Sequence, residues 1–318
     1  MHHCKHLSNL AFYYDYRQNI ELFDKFVTWV LSSRDDSCSL LNLVIENQFS
    51  GELIDPRVFD SVIEYAVLHN VRNLKLDVFS PIVTFESLSL IFCSQSLTSL
   101  KLCIRRTSSP VVVLPKSFDL PALKSLRLNC VGFAASGNEC AEPFSNCRVL
   151  NTLVLKCFSL HDDARVLWIS NSSLSSLKIS HLLQKQVWEV RLSTPKLSSF
   201  TIKGFACDQL STTCNLSFLE EVNIFHRYLW ETSSISTLLK WLKVLANVKI
   251  LTLTSVIILM ILPELSNMYS RTPQPPCFVR LELLKVDKQV PIKISDKEVT
   301  RVVDFLLQNS PSAKVDIS

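Results

Sequence analysis

Basic side chains recur at one position of a phrase that repeats along this 318-residue chain. The phrase reads apolar, two residues, apolar, one residue, apolar. Its penultimate residue points to the opposite face of a predicted strand from its apolar neighbours, because strand side chains alternate with a period of two. Four of the first six such residues are basic, namely Lys75, Lys101, Arg127 and Lys178. They are candidate residues for binding an anionic partner, since neighbouring strands lie only about 4.8 Å apart.

An ordinary solvated surface is the alternative explanation for these four residues. Like charges on adjacent strands are unfavourable by up to about 1 kcal/mol. A row of basic residues that keeps this cost could serve to bind an acidic partner. Water and salt weaken that repulsion, however, and lysine at an exposed strand position also discourages aggregation. Both interpretations stay open on the sequence alone.

The remaining chemistry-bearing residues do not predict a catalytic, metal or cofactor site. His161, Asp162 and Asp163 follow a predicted strand and could form an acid–base pair, but no nucleophile motif accompanies them. Among the seven histidines, only His2, His3 and His6 are spaced so that they could capture a metal. With four glycines in the chain, there is no phosphate-binding glycine loop. We therefore predict that the protein is not an enzyme and uses no metal or cofactor.

Cysteine usage and charge narrow the class of protein further. The eleven cysteines are scattered and form no C-x-x-C pair, which predicts neither a disulfide framework nor a zinc site. Cys103, Cys130 and Cys157 lie beside predicted strands, where we expect buried thiols that act as small apolar groups in a reducing compartment. The net charge of +4 is small for a nucleic-acid-binding protein. We expect an intracellular protein, in the nucleus or cytoplasm, that binds no nucleic acid.

One apolar segment, residues 248–262, imitates a membrane span. It is shorter than the roughly 20 apolar residues that a spanning helix needs, and Pro263 follows it. We interpret it as a strand and its buried return segment, stopped at the proline, and predict no membrane association.

The repeated phrase itself predicts the fold. Its first residues lie 22 to 33 positions apart, and the shorter of these spacings match the roughly 20–29-residue period of leucine-rich repeats. We expect an α/β leucine-rich-repeat solenoid, irregular, with about ten strand units in a curved parallel sheet. The phrases begin at Leu40, Val71, Leu97, Leu123, Leu150, Leu174, Leu197, Leu219, Val248 and Leu281.

Helical segments near both ends are predicted to cap this array, because solenoids must cover their open apolar ends. An amphipathic pattern over 19–31 predicts the first helix. At the other end, Ser295 and Glu298 form a capping box for a helix over 296–308. The predicted division is an N-terminal cap over 1–38, the solenoid over 39–268 and a C-terminal cap over 269–318.

Three stretches of the chain resemble plant F-box/LRR proteins that carry an FBD-type C-terminal domain. They are the helix and strand of 55–76, the phrases of 120–128 and 145–155, and the tail segments 276–286 and 298–311. Together they follow the family's order over nearly the whole chain. In that family the F-box docks onto the Skp-type adaptor of a cullin–RING ubiquitin ligase, and the repeats hold the substrate.

The family's F-box module is not found in this chain, whose residues 4–12 resemble the segment that follows it. The resemblance implies a protein-binding module similar to the substrate-recognition part of an SCF-type E3 ubiquitin ligase receptor. It implies an unknown substrate protein as partner, and a Skp-type adaptor only if an F-box lies upstream. Two alternatives stay open: a stand-alone LRR interaction protein without ligase recruitment, and a small anionic-ligand sensor that uses the basic concave face.

Overall fold

The computed structural model describes most of the chain in eleven segments. They are residues 7–15, 19–35, 38–47, 54–79, 88–105, 111–180, 189–204, 207–226, 235–266, 274–288 and 294–317. The chain divides into two compact units, Met1–Arg165 and Val166–Ser318. Each unit is α/β and is built around parallel strands.

The first unit contains a main parallel sheet and a smaller one. Its strands are β1 (Asn9–Tyr14), β2 (Asn42–Asn47), β3 (Asn73–Phe79), β4 (Ser99–Arg105), β5 (Val112–Leu114), β6 (Ser125–Asn129), β7 (Val131–Ala134), β8 (Cys140–Ala141), β9 (Thr152–Lys156) and β10 (Ser159–His161). The main sheet has the order β1-β2-β3-β4-β6-β9, and the smaller sheet has the order β10-β7-β5. The main sheet therefore takes one strand from each successive phrase.

Alternation of side chains explains why the phrases form these strands. In β3, Leu74, Leu76 and Val78 are buried while the intervening residues are half-buried. The first residue of the same phrase, Val71, is also buried and follows the helix that precedes the strand. Each phrase thus contributes apolar anchors to the core and leaves the alternate positions at the surface.

Strand β1 was not predicted, so the expectation of a purely helical N-terminal cap is wrong. Leu10, Phe12 and Tyr14 alternate with exposed residues, and β1 pairs in parallel with β2. The exposed residues Ala11 and Tyr13 are themselves largely apolar, so the period-two pattern shows little contrast in the sequence. The first unit begins with a strand at the edge of the sheet, followed by the predicted helix.

Two helices and the small sheet lie in the returns of the first unit, which are the segments that connect one strand of the main sheet to the next. Helix α1 (Ile20–Ser32) begins after Asn19, whose side chain accepts the N–H of Leu22. Helix α2 (Pro56–Leu68) begins after the N-cap Asp55. The later returns contain the short strands β5, β7 and β10.

The second unit repeats the plan, and the structure describes three helices towards its end. Its strands are β11 (Val166–Ser170), β12 (Ser176–Ser180), β13 (Glu189–Ser193), β14 (Ser199–Lys203), β15 (Gln209–Thr212), β16 (Glu221–Phe225), β17 (Ile250–Thr254), β18 (Leu283–Asp287) and β19 (Lys314–Ile317). Its helices are α3 (Ile235–Val244), α4 (Ser255–Ser266) and α5 (Asp296–Leu307). One sheet runs β12-β14-β16-β17-β18-β19, and β13 pairs with both β11 and β15.

Two predictions in this unit have different outcomes. The capping box of α5 is confirmed, because the Ser295 and Glu298 side chains each accept the other residue's backbone N–H. The prediction that Pro263 stops the apolar segment is wrong, since α4 continues through it to Ser266. The proline removes one helical hydrogen bond without ending the helix. In the described part of the chain, every helix is too short or too polar to cross a membrane.

Candidate functional site

Three of the four predicted basic residues meet on the main sheet of the first unit. Lys75 in β3 lies opposite Lys101 in β4, and Lys101 lies opposite Arg127 in β6. Lys75 and Lys101 are half-buried, whereas Arg127 is exposed. Each stands between two buried leucines of its own strand, so the strand anchors fix its position. We call Lys75, Lys101 and Arg127 the basic column.

An acidic pair lies beside the basic column and was not predicted. Glu46 in β2 lies opposite Asp77 in β3, one pleat further along the strands. Glu46 forms an ion pair with Lys75, and Asp77 Oδ2 lies 3.8 Å from Lys101 Nζ. Asp77 Oδ1 also lies 2.7 Å from Arg105 Nη2. The signal was present in the sequence, because Asp77 follows Lys75 by two residues and must share its face of the strand.

The two carboxylates change the electrostatics of this face. Asp77 is only 14% exposed at its side chain, so its interaction with the half-buried Arg105 is less screened than a surface pair. Burial, together with the neighbouring Lys101 ammonium, lowers the pKa of Lys75, while Asp77 acts in the opposite direction. Lys75 and Lys101 are therefore partly neutralised by the protein's own carboxylates.

Arg127 is the exception in the column. It is exposed, and it makes no ion pair with any residue that the structure describes. Its guanidinium presents five N–H donors in a planar fork that matches a carboxylate or phosphate. Arg127 is thus the residue of this face best placed to contact an external anion, with Lys101 beside it.

Lys178, the fourth predicted residue, lies in the second unit among different neighbours. It faces Thr201 across β12 and β14, and the line continues in register through Asn223, Thr252 and Lys285. Its immediate described neighbour in the sheet is therefore a neutral hydroxyl. Lys178 is not part of the basic column as defined in the first unit.

His161 has a structural environment in the small sheet. Its Nε2 lies 2.7 Å from the Ser159 hydroxyl, but Ser159 is only 8% exposed. The ring also packs against Gly132, where an added Cβ would lie 2.5 Å from His161 Cδ2. Asp162 and Asp163 are exposed in the following turn. These contacts account for the histidine as a packing residue between neighbouring strands.

The structure describes only some of the histidines and cysteines singled out from the sequence. Within the described residues, no group of three or more His, Cys, Asp or Glu side chains is arranged to hold a metal ion, and His2, His3 and His6 lie outside those residues. Cys103 is buried as expected. Cys130 and Cys157 are only half-buried, so the expectation of buried thiols is wrong for these two.

Comparison with known proteins identifies plant relatives. No protein-family model matches the chain. It is 28% identical over 257 residues to an FBD-associated F-box protein of Arabidopsis thaliana, covering 79% of this chain and 58% of that protein. It is 30% identical over 185 residues to an F-box protein of the same plant, covering 55% of this chain and 32% of that protein. The chain thus spans about half the length, or less, of these relatives.

Proposed function

Because the chain resembles plant F-box proteins, one of them FBD-associated, we propose that it binds protein as the substrate-recognition part of an SCF-type ubiquitin ligase receptor. The ligase would carry out the chemistry, and this chain would position the substrate inside the cell, in the nucleus or cytoplasm. A Skp-type adaptor is a partner in this proposal wherever the chain is joined to an F-box.

The proposal includes a leucine-rich-repeat solenoid with caps at its two ends. The last two apolar residues of each of the ten predicted phrases lie in a strand that pairs in parallel within its own unit, as a repeat array requires. The predicted division into 1–38, 39–268 and 269–318 belongs to the same proposal. The pairing of β1 with β2, and of β18 with β19, supports end segments that extend the sheets.

The observation that carries the proposed binding face is the register of the basic column. Lys75, Lys101 and Arg127 face one another on neighbouring strands, and Arg127 is exposed without a described ionic partner. Strands hold such a surface more rigidly than loops would. A substrate segment rich in Asp and Glu would be electrostatically complementary to this edge of the face.

The test compares two variants that change the charge equally. Lys101→Gln with Arg127→Glu lowers the net charge by three at the basic column, and Lys116→Glu with Lys124→Gln lowers it by three at exposed positions outside the strands. Proximity labelling in plant cells, with the proteasome inhibited, should recover ubiquitinated partners with the wild-type chain. We expect at least a tenfold loss with the column variant and little loss with the control.

The same experiment separates the alternatives. Partners that depend on the column but carry no ubiquitin, with no adaptor or cullin in the sample, would favour a stand-alone interaction module. Equal labelling by both variants would refute the basic column as the binding face. A third measurement addresses the anionic-ligand sensor: calorimetric titration with inositol hexakisphosphate should show no binding below millimolar concentration, and Arg127-dependent micromolar binding would favour the sensor.

A further inference from the structure

Cys103, Cys130 and Cys157 lie near one another at the carboxyl ends of β4, β6 and β9. Asn129 faces Lys156 in register, and the next residues along the two strands are Cys130 and Cys157. The Cys130 N–H donates to the Lys156 carbonyl oxygen over 3.1 Å. Neighbouring strands lie about 4.8 Å apart, which falls within the roughly 4.4–6.8 Å between Cα atoms that a disulfide spans.

The backbone at two of these positions is unusual. Cys130 has a φ of 58° and Cys157 a φ of 46°, which is the left-handed region that favours glycine and, after it, asparagine. A cysteine there holds its backbone in a sparsely populated conformation, and such outliers concentrate at functional sites. Two successive strands repeat the same residue type in the same conformation.

The thiols are joined by hydrogen bonds. The Asn129 side-chain amide donates to Cys103 Sγ over 3.1 Å, so the Cys103 sulfur already has a donor. The Cys130 thiol donates to Asn129 Oδ1 over 3.6 Å, and both Cys103 and Cys157 lie within its hydrogen-bonding reach. The hydrogen bond with Cys130, assisted by the charge of Lys156 and opposed by burial, lowers the pKa of Cys157 to about 7. The interactions of Cys130 with Cys103 first, and then with Cys157, raise the pKa of Cys130. A half-buried thiolate at Cys157 would therefore have a proton donor beside it.

We propose that Cys130 and Cys157 are a peroxide-oxidisable pair that closes to a disulfide between neighbouring strands. The Cys157 thiolate attacks hydrogen peroxide, its new S–O bond replaces the O–O bond, and the released hydroxide takes a proton to form water. The Cys130 sulfur then attacks the Cys157 sulfenic acid, which forms the S–S bond and breaks the S–O bond. The proton from Cys130 and the departing hydroxide give the second water. Two thiols and one peroxide thus yield one disulfide and two waters.

This site is independent of the proposed ubiquitin-ligase role. It uses residues of the first unit that the basic column does not include, and its chemistry requires only a peroxide. Cys157 reacts first because it is half-buried, whereas Cys103 is 1% exposed. Cys130 resolves the sulfenic acid because it is the adjacent thiol in register.

The experiment is mass spectrometry of the full chain after brief exposure to hydrogen peroxide, blocking of free thiols and digestion with trypsin. Cleavage at Lys156 and Arg165 places Cys157 alone in the peptide 157–165, and Cys130 falls in the peptide 128–148. We expect these two peptides to be joined, with fragment ions assigning the bond to Cys130. The exposed Cys93 provides the matched control, since Cys93→Ser should leave the cross-link unchanged.

The resolving role has its own readout. In Cys130→Ser, the cross-link should disappear and a dimedone adduct of the sulfenic acid should accumulate at Cys157 by at least tenfold. A bond between Cys103 and Cys130, or a Cys157 left unmodified while Cys93 is oxidised, would overturn the proposal. So would equal dimedone labelling of Cys157 in the wild-type chain and in Cys130→Ser.

The alkylation rate of the wild-type chain provides a test that does not depend on any variant folding. Iodoacetamide reacts with the thiolate, so the rate at Cys157 should rise with pH to half its plateau near pH 7. Burial raises the pKa of Cys147 to about 11, so its rate should still be rising at pH 9. A half-plateau for Cys157 above pH 8.5, the ordinary value for cysteine, would contradict the proposed hydrogen bond.

Discussion

The two units use the same strand position for different surfaces. In the first unit the residues between the paired leucines form the basic column, and Glu46 and Asp77 lie beside it. In the second unit, the corresponding line has neutral residues at its centre and consists of Lys178, Thr201, Asn223, Thr252, Lys285 and Asp316. The apolar anchors are equally buried in both units. The anchors therefore specify the strand, and the intervening residue is free to set the chemistry of the surface.

The two units also differ in how the segments between their strands pack. The first unit contains a cluster of phenylalanines, in which the rings of Phe92 and Phe118 stack at 4.3 Å and those of Phe118 and Phe144 meet edge to face at 5.6 Å. The second unit packs α3 through Leu238, Leu242 and the buried Trp241 instead.

The largest expected effect is the loss of the central ring of this cluster. Phe118→Ala should reduce the free energy of unfolding by about 3–5 kcal/mol, because it removes a fully buried ring and leaves a cavity. Phe118→Leu keeps most of the volume and should cost about 1.5 kcal/mol or less. Urea unfolding followed by circular dichroism measures both. A loss under about 1 kcal/mol for the alanine variant would show that the cluster does not hold the returns together.

A smaller effect distinguishes the charged face from the neutral one. Asp77→Asn should cost about 1–3 kcal/mol, because it leaves the half-buried Arg105 without its carboxylate. Asp316→Asn in the second unit also removes a carboxylate opposite a lysine, Lys285. Asp316 is exposed, so its loss should change stability by about 0.5 kcal/mol or less. Equal changes in the two variants would remove the proposed contrast between the faces.

Much of the strand arrangement could be predicted, because burial of the anchors leaves a period that is readable in one sequence. The helices that begin at Pro56 and Asp296 were also predictable, since their N-caps use local side-chain chemistry. Strand β1 was missed because its exposed positions include the largely apolar Ala11 and Tyr13, which weaken the alternation between apolar and polar residues. Helix α4 was missed because it is apolar on almost every side, so it has no helical period to read.

The candidate site was predictable only in its placement. The position of Lys101 and Arg127 follows from the strand alternation, which fixes the face that they share. Their ion pairing does not follow, because it depends on which strands become neighbours and on how far each side chain reaches. The Cys130–Cys157 pair was missed for a related reason: both residues lie one position beyond the strands, where the left-handed backbone cannot be read from residue type.

The smallest expected effect comes from adding a charge to the neutral face. Thr252→Lys would place an ammonium group directly opposite Lys285 and Asn223, so that like charges oppose each other as they do in the basic column, with the exposed Asp316 on the other side of Lys285. We expect a loss of up to about 1 kcal/mol at low salt, and most of it should vanish near 1 M salt, where the Debye length falls to about 3 Å. Thr252→Gln separates the effect of side-chain size from that of charge, and its stability should not depend on salt. If the lysine variant were as stable as the glutamine variant at low salt, opposed ammonium groups at this strand position would carry no measurable cost.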